Sequence, residues 1–158
     1  MTLSSCIAVA AITVLLAGVP SAVSAVDGLV TKASPHPVDA TIDKFEAAVK
    51  KRGLMVFTKL DHAAAAESVG LKMPRSTVIV FGNPRLGTPV FTKTPTVDID
   101  LPLKSMVWED ASGNVFLSFN TADYVNNTLY VRHVAAFQKE STARLEEVIG
   151  MIADEALK

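Results

Sequence analysis

The chain has 158 residues, a hydrophobic content of 49% and a formal net charge of −1. That length suits one domain with an adequate core, and a charge so near zero excludes a field strong enough to gather nucleic acid. The single cysteine, Cys6, lies in the first segment. The rest of the chain therefore has no disulfide, thiolate metal site, cysteine nucleophile or covalent haem attachment through cysteine.

Residues 1–25 read as a secretory signal peptide. An apolar run extends from Ile7 to about Val19, Pro20 breaks it, and Val23-Ser24-Ala25 offers small residues for cleavage after Ala25. Val19 stands where a lipoprotein would carry its cysteine. The expectation is a periplasmic or secreted protein with no membrane attachment after cleavage, and one domain over 26–158. All Lys, Arg, Asp and Glu residues lie beyond Ala25, so cleavage leaves the charge unchanged.

Gly28 to Ala33 predicts a short strand. Pro37 then opens a helix whose apolar stripe is Val38, Ile42, Phe45 and Val49. Lys50, Lys51 and Arg52 complement the negative end of that helix, and Gly53 stops it. Leu54 to Leu60 predicts a strand, Ala63 to Val69 a short helix ended by Gly70, and Thr77 to Phe81 a strand covered on both faces. The connection from Gly82 to about Pro102 carries two cap-and-proline pairs, Thr88-Pro89 and Thr94-Pro95, which predict short helices. Leu103 to Glu109 and Asn114 to Phe119 form a hairpin around Asp110-Ala111-Ser112-Gly113. Val115, Leu117 and Phe119 share one face; Lys104, Met106 and Trp108 share one face of the neighbouring strand. Asn120-Thr121 caps a helix to about Tyr130, and a last helix runs from Thr142 to Leu157. This order predicts a single α+β domain with a mixed sheet of about five strands, right-handed βαβ crossovers, and helices mainly on one face.

The stretches DHAAAAESVGL (Asp61 to Leu71), VIVFGNPRLGTP (Val78 to Pro89) and LPLKSMVWEDASGNVFLSFN (Leu101 to Asn120) resemble the DUF302 domain, also called the TT1751-like family. The resemblance covers the chain from about Gly28 to the last helix. It implies a small α+β fold and assigns no activity. By this resemblance the notable positions are Asp61 and His62; Gly82, Asn83, Pro84, Gly87 and Pro89; Lys104, Trp108, Glu109 and Asn120; then Tyr124 and His133.

Asp61-His62 ends a strand and opens a helix, so His62 is a candidate base beside an acid; the competing reading is that Asp61 caps the helix. His36, His62 and His133 are the only histidines, and none stands in a metal-binding spacing. No metal or cofactor is expected. Asn83 to Pro89, with Arg85, follows a buried strand and can offer backbone N–H groups to an anion. Lys104 and Trp108 can hold a ligand on one sheet face, with Glu109 on the other. The expected cleft joins Asp61-His62 to Asn83–Pro89 and binds a small molecule or anion. Ligand-binding candidates are His62, Asn83, Arg85, Lys104, Trp108, Asn120 and Tyr124. The alternatives are a homodimerising module that pairs through the sheet face bearing Trp108, and an enzyme using His62 with Asp61 or Glu109. Binding rather than catalysis is the leading expectation.

Overall fold

The computed structural model describes residues 26–133 and 139–158, with the side chains of 139–144 excepted. The signal-peptide reading of residues 1–25 lies outside the described residues. Five strands, β1 (Leu29–Ser34), β2 (Met55–Asp61), β3 (Ser76–Gly82), β4 (Leu103–Glu109) and β5 (Val115–Asn120), form one sheet in the order β1-β5-β4-β3-β2. Every neighbouring pair is antiparallel. The predicted mixed sheet thus gives way to a wholly antiparallel one. The reason lies in α2 (His62–Glu67), which returns the chain to the strand beside β2 instead of carrying it across the sheet. Only α1 (Val38–Lys51) makes a crossover, linking β1 and β2 at opposite edges.

The alternation of each strand sorts its residues between two faces. Ile79, Phe81, Val107, Leu117 and Phe119 face α1 and α5 (Lys139–Ala156). From α1 come Val38, Ile42, Phe45, Ala48 and Val49; from α5 come Ile149, Ile152, Ala153 and Ala156. Phe45 meets Phe81 edge-on, ring centres 5.3 Å apart, a geometry that adds about 0.5–1.5 kcal/mol to simple burial. The basic triplet closes this layer. Arg52 and Lys51 both hold Glu155 at 2.7 Å, and Lys50 reaches Glu46 one turn back.

The opposite face is less covered. Val78 and Val80 are only half-buried there, so β3 is sealed on one face and not on both. Trp108 stacks on Phe116 with ring centres 4.8 Å apart and donates its Nε1–H to Ser118 Oγ at 2.9 Å. The indole is thereby occupied within its own sheet, which removes the reason to see it as a free dimer contact. Edge strand β2 and the stretch after α2 carry several exposed apolar side chains: Met55, Phe57, Leu60, Val69, Leu71 and Met73.

The helix after β3 begins five residues earlier than predicted. α3 (Pro84–Lys93) starts at Asn83-Pro84, where Asn83 Oδ1 accepts the Arg85 N–H at 2.9 Å, and Pro89 lies inside the helix. Thr94-Pro95 does open a 3-10 turn over Pro95–Ile99. Thr121 caps α4 (Ala122–Tyr124) by accepting the Tyr124 N–H at 3.1 Å. The chain continues as a π-helix through Val125–Tyr130 and a 3-10 turn over Val131–His133.

Candidate functional site

The register divides the predicted site residues between the two ends of the sheet. Asp61 pairs with Thr77, whereas Met55 pairs with Gly82. Asp61-His62 and Asn83–Pro89 therefore lie at opposite ends of β3, about 17 Å apart along a strand. The expected cleft between them does not form. An antiparallel β2–β3 pair places the end of one strand beside the start of the other; only a parallel pair would join them.

At the hairpin end, Asp61 Oδ1 accepts the Ala64 N–H at 3.0 Å and caps α2, while His62 is exposed on the first turn. The capping reading of this pair accounts for its geometry. Glu109 ends β4 here, close to Arg75, whose guanidinium grips both carboxylate oxygens of Asp39. Asp110 organises the turn by accepting the N–H groups of Ser112 and Asn114 at 2.9 and 2.8 Å, with Gly113 at φ 83°.

The helical end gathers Asn83, Arg85, Lys104, Asn120, Tyr124 and His133. Asn83 is spent as a cap, and Arg85 is exposed on α3. Tyr124 lies on Gly28: a Cβ at Gly28 would come within 2.4 Å of the ring, and φ there is +74°. Packing against the start of β1 explains that tyrosine.

Lys104 and Asn120 are different. β4 residue Ser105 pairs with Phe119, which sets Lys104 opposite Asn120. Both line a cavity of about 80 Å³ with Phe81, Asp100, Val125 and Leu129. Lys104 Nζ donates to the backbone carbonyls of Asp100 at 3.0 Å and Pro102 at 3.1 Å. Among the described residues no carboxylate lies within salt-bridge distance of it. Loss of hydration holds its pKa below the usual lysine range, against the pull of Asp100. The ammonium keeps one N–H beyond the two it gives to carbonyls.

Beside this cavity stands a cluster with little signal in the sequence. Asp100 accepts from Arg132 Nε at 2.7 Å and from a second Arg132 nitrogen at 2.6 Å. His133 Nε2 meets Asp100 Oδ2 at 2.6 Å, and its Nδ1 meets Thr96 Oγ1 at 3.0 Å. Burial pushes the Asp100 carboxyl up, but the bonds from Arg132 and His133 outweigh it and hold the group below the ordinary aspartate range. Tyr130, buried nearby, is pushed up by desolvation and by the Asp100 charge. His133 was the one visible signal; Thr96 sits in the short 3-10 turn and Asp100 directly after it, where no spacing advertises them. His36, His62 and His133 fall on the β1–α1 connection, on α2 and beyond the π-helix, and do not converge.

A five-stranded antiparallel sheet with two helices on one face, and polar clusters at both strand ends, defines a small α+β domain. The chain belongs to the DUF302 family, a domain of unknown function, whose model matches residues 30–152. An uncharacterised conserved DUF302 protein of Bacillus stearothermophilus superposes with a TM-score of 0.69 over 84% of this chain and all of that one, at 17% identity. That likeness establishes the fold. The chain is also similar to proteins named fluoride-specific ion channel FluC 1 in Brucella suis and Brucella abortus, 43% identical over 102 residues. These matches cover 64% of this chain and 40% and 38% of the relatives, so the chain spans well under half the length of either. Among the described residues no helix is long and apolar enough to cross a membrane.

Proposed function

We propose that this domain binds a small inorganic anion at the Lys104–Asn120 cavity. The observation that carries the reading is a partly dehydrated ammonium, held by two neutral carbonyls, with an N–H to spare at the mouth of an 80 Å³ space. Such a volume admits an ion and one or two waters, each with a share of about 30 Å³, and is too small for the metabolites that fill pockets of about 300 Å³ and more. The Asn120 amide, opposite on β5, is a second donor. The name of the Brucella relatives, fluoride-specific ion channel, supports anion chemistry. Export through the leader over residues 1–25 would place the domain outside the inner membrane. N-terminal sequencing of the periplasmic fraction reads that point directly; a chain still starting at Met1 would refute it.

The binding test is titration of the purified domain with fluoride, chloride and phosphate, followed by amide NMR. Saturable shifts confined to β4, β5 and the π-helix are expected. Lys104→Gln should weaken them at least tenfold, while Lys72→Gln, an exposed lysine in the loop after α2, leaves them unchanged. Equal binding by Lys104→Gln sinks the reading.

A second reading, nucleophilic catalysis, is favoured by the Asp100–His133–Thr96 chain of contacts, in which acid, imidazole and hydroxyl stand in the order a catalytic triad requires. It replaces His62 as the basis of the enzyme alternative. A fluorophosphonate probe would label Thr96 and fail on His133→Gln; absence of labelling at Thr96 in the folded protein rejects it.

A further inference from the structure

The sheet face turned away from α1 and α5 carries an apolar surface that the register assembles. Cα pairing runs straight across it: Leu60 to Val78, Val78 to Met106, Met106 to Ser118 and Ser118 to Thr31. Val80 and Trp108 flank this row on the same face, since a strand alternates sides. Lys32 and Lys59 point the other way, to Asp154 of α5 and Glu46 of α1. Glu109 pairs with Val115 and lies on that helix side as well. Among the described residues Lys104 is then the only charged side chain that the strands turn to this face. Its ammonium is drawn back onto the Asp100 and Pro102 carbonyls at the strand end.

A solvated antiparallel face normally alternates to polar side chains. Here the outward positions of β3 and the middle of β4 are valine, valine and methionine. Val78, Val80 and Met106 are half-buried, and Leu60 is 51% exposed. The polar groups of the row need no water. Thr31 and Ser118 hydrogen-bond each other at 2.8 Å, and Ser118 Oγ also takes the Trp108 N–H at 2.9 Å. A partner can dry this surface without orphaning those groups, which removes the main penalty for covering it. The indole is taken up by Phe116 and Ser118, so the pairing surface is the row beside it rather than the ring.

We propose that a second copy of this chain covers the face, sheet against sheet, about a two-fold axis along the row from Leu60 through Val78 and Met106 to Ser118. Such an axis lays each strand over its own counterpart, apolar half on apolar half and hydroxyl half on hydroxyl half, with Met106 against Met106. The one charge fits this arrangement. Lys104 lies two residues to the side of the row, so the two ammoniums stand about 14 Å apart along the strands. Five strands about 4.8 Å apart and three rows about 7 Å apart make a patch of about 500 Å² on each copy, or about 1,000 Å² for the pair, the lower bound of a specific interface. The dimer is accordingly reversible, with a Kd on the order of 10 μM. A face with a single cation draws neither nucleic acid nor an anionic bilayer, and an extended peptide would join an edge rather than a face. Neither Met106 nor Leu60 lines the Lys104 cavity, so this proposal and anion binding fail separately.

Sedimentation equilibrium of the purified protein from about 1 μM to about 1 mM brackets that Kd. A monomer–dimer equilibrium is expected. Met106→Lys should weaken the dimer at least a hundredfold, because the axis sets two like charges face to face. Its unfolding midpoint should stay near that of the parent, since Met106 already meets water. Met106→Glu should behave alike, and an equimolar mixture of the two variants should pair as a heterodimer. Met151→Lys, exposed on α5, should associate as the parent does. Should a Met106 variant lose its fold, Leu60→Lys at the exposed end of the row is expected to weaken the dimer at least tenfold. A parent that stays monomeric at the highest concentration overturns the proposal and leaves the face to a different protein. Undiminished association of both Met106→Lys and Leu60→Lys overturns it too, and a mixture of the Met106 variants that stays monomeric overturns the axis.

Discussion

Asp100→Asn tests whether the cluster beside the Lys104 cavity is a structural clamp. The carboxylate takes three charge-assisted bonds of 2.6–2.7 Å, two from Arg132 and one from His133. Each such bond contributes about 1.5–3 kcal/mol when fully protected. The Arg132 side chain is 55% exposed, so its two bonds exchange with water and count together for no more than about 1 kcal/mol. The His133 side chain is only 8% exposed, so its bond counts for about 1.5 kcal/mol. Asparagine keeps one acceptor and turns an N–H toward a donor, which leaves a net loss of about 2 kcal/mol, or roughly 5–10 °C in Tm. The pH dependence follows from the lowered carboxyl pKa. A depressed aspartate adds stability that is present above its unfolded pKa and is lost as pH falls through the folded one. The gap between parent and variant in urea denaturation should therefore be full at pH 7 and close toward pH 3. A gap below about 0.5 kcal/mol at pH 7, or one that persists undiminished in acid, would refute the clamp.

Gly28→Ala should cost about 2 kcal/mol or more in urea denaturation, since the positive φ strains an L-residue and the new methyl meets the Tyr124 ring. Because the Tyr124 Cβ would itself lie 2.6 Å from the new methyl, the steric part should vanish only in the Tyr124→Gly background while the backbone part stays; a fully additive pair would show that the two do not touch. Asp61→Ala should remove about 1 kcal/mol from α2, read as faster amide exchange there; because α2 has no buried residue, anion binding at the far end should not change. Phe81→Ala should cost about 3–5 kcal/mol, and its coupling to Phe45→Ala should reach about 0.5–1.5 kcal/mol; a coupling near zero would count against the edge-on contact.

The strands and α1 were legible because their patterns are local. Alternation and the Asp110–Gly113 turn placed β4 at Leu103–Glu109, as found, and the Val38–Val49 stripe is the buried face of α1. α3 was read short because Gly87 and Pro89 are poor helix residues, while Asn83-Pro84 is the same cap-and-proline device as Thr88-Pro89. Sheet direction was not legible: a helix between two strands signals a crossover in most folds, and nothing in Ala63–Val69 says that the chain turns back. That single ambiguity also misplaced the site, since direction decides which strand ends meet. Lys104 and Asn120 were picked out by family resemblance and do face each other across the hairpin. Their partner Asp100 and the Thr96–His133 contact bridge 32 to 37 residues of sequence, and only the folded chain brings them together.

The position of β1 has a consequence for how the domain assembles. Its sole neighbour among the described strands is β5, and Leu29 finds Asn120 across about 90 residues, the costliest loop closure in the sheet. The β4–β5 hairpin and the β2–α2–β3 unit close over far shorter loops. A nucleus of central strands is thus available before the outer one can attach, and β1 is expected to join late, its removal quickening unfolding more than it slows folding. Until β1 docks, β5 is a bare edge able to accept the β1 of another copy. Crowded synthesis would favour strand exchange there, and slow, dilute refolding would suppress it.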